Sequence, residues 1–169
     1  MKYKVVNKQQ NSKKCIVCGL NNDLGLKASF YELENGELVA VFKPVEEHQS
    51  YPGRMHGGIA SAILDEVIGR AIQVRDENIW GVTAEICLKY LKPVPLNEEL
   101  RVVGRITKDS RRIFEGTGEI ILENGDIAVT STGKYMKMPL DKITDSEFID
   151  DEWSVFHSDD DPDEIELNY

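Results

Sequence analysis

The stretch Ile59-Ala60-Ser61-Ala62-Ile63-Leu64-Asp65-Glu66-Val67-Ile68-Gly69-Arg70-Ala71-Ile72-Gln73-Val74-Arg75 decides how the rest of the chain is read. Apolar residues recur at Ile59, Ile63, Val67, Ala71 and Val74, close to helical spacing, with Leu64, Ile68 and Ile72 beside them. The pattern predicts one long, mostly buried helix. Everything around it reads as strand. Upstream, Leu26 to Leu33 and Leu38 to Phe42 flank Asn35-Gly36, a strong short hairpin signal. Downstream come Val82 to Leu91, Leu100 to Thr107, Ile113 to Leu122 and Ile127 to Met138, all rich in β-formers, with Asn124-Gly125 joining the last two. Two strands, a helix and four strands predict an α+β layer architecture, an antiparallel sheet wrapped over a single helix.

The net charge of -10 over 169 residues is unevenly placed. Residues 141–169 hold 12 Asp and Glu against one Lys, so the remaining residues carry +1. The acidity belongs to the tail, and no basic cluster of the size that nucleic-acid binding requires is present. No run approaches the ~20 apolar residues of a membrane span, and the N-terminal residues are polar rather than a signal core. Three cysteines suit a reducing compartment better than a disulfide framework. The expectations are a cytoplasmic chain that binds neither membrane nor nucleic acid. Its divisions read as a flexible arm over 1–14, one domain over 15–140 and an acidic, disordered tail over 141–169, in which Phe148, Trp153, Val155 and Phe156 could dock locally.

At ~100° per residue, Gly58, Ser61, Asp65, Gly69 and Ile72 share one side of the helix, opposite Ile59, Ile63 and Val67. A carboxylate among small residues leaves room for a ligand, although an exposed or amide-bonded Asp is the plainer reading. Gly57 and Gly58 open the helix with no side chains over their amides, which presents N–H donors and the positive end of the helix dipole to an incoming oxygen. An oxyanion site needs those features, and a tight helix entry needs the same glycines for backbone reasons alone.

Tyr51-Pro52-Gly53-Arg54-Met55-His56-Gly57-Gly58, continuing through Asp65 and Glu66, then Gly81-Val82-Thr83-Ala84 and Tyr90-Leu91-Lys92-Pro93-Val94, resembles the phenylacetate-type thioesterases of the hotdog-fold superfamily. The resemblance runs from about Cys15 to Met138. It implies a hotdog fold, dimers that often pair into tetramers, and hydrolysis of an acyl-CoA to the free acid and CoA without a cofactor. It also implies Gly57 as the amide donor to the thioester carbonyl, Asp65 as general base or nucleophile, and Thr83 as the hydroxyl that places the water or the carboxylate. His56 matches the histidine at the helix entry, and Gln49 or Ser50 falls where relatives place an amide side chain beside the thioester.

Seven residues separate Gly58 from Asp65, or ~10.5 Å along a helix axis, whereas reacting atoms lie within ~3 to 4 Å. One chain can hardly use both halves on one thioester. The expectation is a site completed across a homodimer or a dimer of dimers, with the helix start of one chain facing Asp65 of the other. Lys89, Lys92, Arg111 and Arg112 are candidates for the CoA phosphates, and equally ordinary solvated side chains. Glu66, turned ~100° from Asp65, is expected to face elsewhere.

Cys15-Ile16-Val17-Cys18-Gly19 has zinc-knuckle spacing, but zinc takes four ligands and no second pair follows, so the expectation is no metal, with a structural zinc shared across a dimer as the lesser reading. A hydratase or dehydratase on the same fold would pair His48 with Asp65 or Glu66. A third alternative is a non-catalytic acyl-CoA-binding protein.

Overall fold

A computed structural model describes residues 1–145 and 151–168, so Phe148 lies outside the described residues. The elements run β1 (Lys2–Lys8), β2 (Ser29–Leu33), β3 (Leu38–Phe42), α1 (Gly57–Ala71), β4 (Trp80–Tyr90), β5 (Leu100–Asp109), β6 (Ile113–Ile121), β7 (Ile127–Met138) and β8 (Glu164–Glu166). A short 3-10 turn over Ile72–Val74 continues α1. The strands form one sheet in the order β4-β7-β6-β5-β3-β2-β1-β8. Every pairing in it is antiparallel. The predicted helix and six predicted strands are all present, and the fold is the hotdog arrangement of one curled sheet over a central helix.

Ile63, Leu64, Val67, Ile68 and Ile72 are fully buried against Phe30, Leu38, Leu100, Val102, Phe114 and Ile120 of the sheet. A fully buried aliphatic or aromatic side chain contributes ~1.5 to 3 kcal/mol, so this face holds the layers together. The helix lies so close to β5 that a Cβ at Gly104 would stand 2.7 Å from the Val67 carbonyl oxygen. Only glycine allows that approach.

Two expectations at the chain's ends are corrected. Residues 2–8, expected within a loose arm, form β1, and Lys8 at its end is buried along with Gln9, Asn11 and Ser12 beyond it. The acidic tail is not free along its described length. Ile165 and Leu167 join Tyr31, Leu33, Val39, Val103 and Ile121 in a second apolar cluster, which Tyr3 and Val5 of β1 flank. Period-2 alternation in Glu164-Ile165-Glu166-Leu167 places both apolar side chains on one face, a strand signal hidden by the surrounding charge. Lys8 Nζ reaches Asp161 Oδ1 at 2.5 Å and the Phe156 carbonyl at 2.6 Å, and the Tyr31 hydroxyl donates to Asp161 at 2.9 Å. Burial, and then the bond to Asp161, push the Tyr31 phenol up to about 12.

β4 is the other end of the sheet. It pairs with β7 alone, and its second edge has no partner among the described residues. Tyr90 and Leu91 at its end are more than half exposed.

Candidate active site

Asp65 sits mid-helix and half-buried, where the small residues on its side leave space above it. Its Oδ1 accepts from the Thr83 hydroxyl at 2.8 Å and from the Tyr135 hydroxyl at 3.1 Å. Tyr135 also reaches the Asp65 carbonyl at 3.1 Å. Thr83 and Tyr135 face each other across the β4–β7 ladder, and the register slips between Thr83 and Glu85, a β-bulge of the kind that re-aims side chains beside sites. Burial, and then the Asp65 charge, push the Tyr135 phenol far above its ordinary value, so at neutral pH it donates and does not ionise. Both donors bind the same oxygen, and Oδ2 has no donor among the described residues.

Asp65 opens on a cavity of about 500 Å³. Its walls include Gly69, Trp80, Gly81 and Tyr135 from the body of the fold, Ser12, Cys15 and Cys18 from the N-terminal segment, and Leu140, Ile143 and Trp153 from the C-terminal one. The Trp80 and Trp153 rings lie 5.1 Å apart at a tilt of 58°. Glu66 lines the cavity too, and one of its carboxylate oxygens, Oε1, accepts from Arg70 Nε at 2.7 Å. Cys15, whose sulfur is bonded by Cys18, has its thiol lowered to about 6 against the opposing effects of burial and Glu66.

The other half of the expected site lies at the start of α1. His56 is the N-cap, and its Nδ1 accepts the Gly58 amide at 2.8 Å. That corrects the expectation of two open amides: Gly58 is satisfied within the chain. The Gly57 amide has no acceptor among the described residues, and the Gly57 carbonyl accepts from the Tyr90 hydroxyl at 2.8 Å. Gln49 Oε1 accepts from the Gly53 amide at 3.3 Å, and the Ser50 amide donates to the Arg54 carbonyl at 2.9 Å, so both sit in the loop that leads into the helix. None of Gln49, Ser50, His56, Gly57 and Gly58 lines the Asp65 cavity.

The four basic candidates do not converge within a chain. Arg112 neighbours Lys137, in register with Gly81, whereas Lys89 faces Thr130. Eight strand residues, ~26 Å, separate those levels. Lys92 is paired with Asp126 at 2.6 Å. His48 is buried, with Nδ1 accepting from the Val45 amide at 3.0 Å and Nε2 on the Leu24 carbonyl at 2.9 Å. Both ring nitrogens are engaged in holding loops, which leaves the hydratase alternative without its histidine.

Tyr135 and the tryptophan pair are the site residues that sequence reasoning missed. The signal for Tyr135 was its place in β7, but only the register with Thr83 turns that into a contact with Asp65.

With this geometry, residues 52–129 match the family model described as Thioesterase superfamily. Human acyl-coenzyme A thioesterase 13 is 23% identical over 78 residues, 46% of this chain and 56% of that one. The chain spans a little over half the length of the curated relatives it matches first. A crystal structure described as a thioesterase superfamily protein superposes with a TM-score of 0.67 at 26% identity, covering 74% of this chain and 60% of that one. The Escherichia coli PaaI protein of the phenylacetic acid degradation operon superposes at 0.61 with 14% identity, over 67% and 80% of the two chains, which speaks to fold alone. The architecture is that of a hotdog domain. The resemblance to hotdog-fold thioesterases, read from the sequence, agrees with the family-model match over residues 52–129.

Proposed function

We propose that the protein is an acyl-CoA thioesterase whose two site halves meet across a homodimer formed along β4. The carrying observation is that β4 bears one half at each end and has an edge unpaired among the described residues. Thr83, near its start, holds Asp65, and Tyr90, at its close, holds Gly57. In a two-fold antiparallel pairing some residue must face itself. A two-fold axis at Ile86 or Cys87, just past the middle of β4, brings Thr83 within about one residue of register of the partner's Tyr90. Asp65 of one chain then meets the amide of the partner's Gly57, and the Arg112 end of one sheet meets the Lys89 end of the other. An exposed edge strand of eleven residues is a ready template for such pairing.

In that site the Gly57 amide, at the positive end of α1, donates to the thioester carbonyl and stabilises the oxyanion as it forms. Asp65, held through Oδ1, takes a proton from water through Oδ2 as that water adds to the carbonyl carbon. The tetrahedral intermediate collapses to the free acid and releases CoA as its thiol. The acyl group occupies the cavity walled by Trp80, Trp153, Leu140 and Ile143, whose volume suits a small ligand.

The test is thiol release over a panel of aryl and aliphatic acyl-CoAs, with Asp65→Asn as control. Release that is abolished by the substitution supports hydrolysis at this site; no release from any substrate rejects it. Mixing Asp65→Asn chains with Gly57→Val chains tests sharing: verified heterodimers recover activity at one of their two sites. Recovery of none overturns the shared site. Single turnover in heavy-oxygen water puts label in the product acid if Asp65 is the base, and in Asp65 itself if it is the nucleophile.

A further inference from the structure

One cluster of donor atoms beside Asp65 has no part in that hydrolysis. The chain turns tightly from Cys15 to Gly19, where the Gly19 amide closes on the Cys15 carbonyl at 2.8 Å. A Cβ at Gly19 would run into that same carbonyl, so the turn requires glycine. The turn directs both sulfurs at the face of α1 that carries Glu66. The two sulfurs and a Glu66 carboxylate oxygen lie within 4.8 Å of one another. Tetrahedral zinc at ~2.3 Å from sulfur would hold two sulfurs roughly 3.8 Å apart, a separation within reach of small side-chain rotations here.

Hydrogen-bond donors stand around both sulfurs. The Val17 amide donates to Cys15 Sγ at 3.3 Å and the Ser12 amide to Cys18 Sγ at 3.4 Å. Arg70 Nη2 donates to Cys18 Sγ at 3.2 Å while its Nε holds Glu66 Oε1 at 2.7 Å, leaving Oε2 to face Cys15 at 4.0 Å. Arg70 is itself fixed, buried over the Phe30 ring and bonded to the Gln10 carbonyl at 2.8 Å. These are the outer bonds that orient metal ligands. Two thiolates and a carboxylate carry three negative charges and Arg70 supplies one positive charge. A single divalent cation brings the cluster to neutrality, which a half-buried cluster favours.

We propose that Cys15, Cys18 and Glu66 bind one zinc ion, tying the N-terminal turn to α1 one residue beyond Asp65. Thiolate donors select a thiophilic ion over magnesium or calcium. All three ligands line the Asp65 cavity, so the fourth coordination position opens into it. The inference does not depend on the thioesterase reading, and its test does not use activity.

Untagged protein purified without chelator is assayed for metal by mass spectrometry, and chelator-stripped, reduced protein is titrated with zinc and with cobalt. The expected result is one zinc per chain, and a thiolate-to-cobalt charge-transfer band that saturates at one equivalent. Cys15→Ser and Glu66→Gln each weaken zinc binding at least ~10-fold, while Cys87→Ser, altering the exposed thiol on β4, binds as the wild type does. Matching melting curves of variants and wild type in chelator establish that the losses are not unfolding. Three results overturn the proposal: reduced wild-type protein that takes up no zinc at micromolar concentration, Cys15→Ser and Glu66→Gln variants with wild-type affinity, or a Cys15–Cys18 disulfide whose reduction restores no metal uptake.

Discussion

The Thr83 hydroxyl donates to Asp65 Oδ1 at 2.8 Å, linking an edge strand to the middle of the central helix. Tyr135 reaches the same oxygen from β7, so two strands and a helix fix one carboxylate. A hydrogen bond to a charged group is worth ~1.5 to 3 kcal/mol, or roughly 10- to 100-fold in rate where it positions the reacting group. Thr83→Val and Tyr135→Phe are expected to lower kcat by about that factor with KM little changed. Asp65→Asn is expected to cost at least ~10²-fold. Steady-state thiol release separates the two parameters, and a rise in KM at constant kcat would argue against a positioning role.

His56 caps α1 through its ring nitrogen, and its removal leaves the Gly58 amide without a partner inside the chain. His56→Ala is expected to cost about 1 kcal/mol and His56→Asn much less, because a short amide side chain can take the same bond. Urea unfolding of the two variants measures the difference. Equal midpoints would show that the cap bond does not contribute to stability.

Gly104 is where the helix approaches β5 most tightly, with no room for a methyl group beside the Val67 carbonyl. Gly104→Ala is expected to destabilise by ~1 to 3 kcal/mol, since backbone must move to admit it. A lower denaturant midpoint at unchanged slope is the signature, and wild-type stability would mean the layers have slack.

Tyr31 has a raised pKa, so it contributes stability that is fully present below the unfolded value near pH 10 and is lost as pH rises through about 12. Over that window the unfolded chain gives up the phenol proton while the folded chain keeps it. Thermal melts of wild type and Tyr31→Phe between pH 9 and pH 12, roughly the span of the two values, should converge at the alkaline end. Parallel curves would show that Tyr31 does not contribute to the alkaline loss.

The elements around the site were legible because each carries a local pattern: helical recurrence from Ile59 to Val74, β-former runs and the turns at Asn35-Gly36 and Asn124-Gly125. Asp65 and Gly57 were legible as residue types in a helix context. What was hidden depends on register and on distant chain meeting in space. Tyr135 becomes a partner of Asp65 only through its pairing with Thr83, and Cys15 meets Glu66 only because Arg70 and Asn11 anchor the N-terminal turn to the helix and to Ala28, just ahead of β2. β1 and β8 escaped notice for a related reason. Each is short and charged, and its apolar side chains acquire a core only when the other strand is present.

The pairing of Lys2 with Glu166 joins the first strand to the last described one. During synthesis Tyr31, Leu33 and Val39 emerge well before Ile165 and Leu167, the residues that cover them. Until residue 167 has cleared the ribosome, that outer face stays wet. The nascent chain therefore presents a greasy surface to chaperones at a stage when its central helix and neighbouring strands are already available to condense.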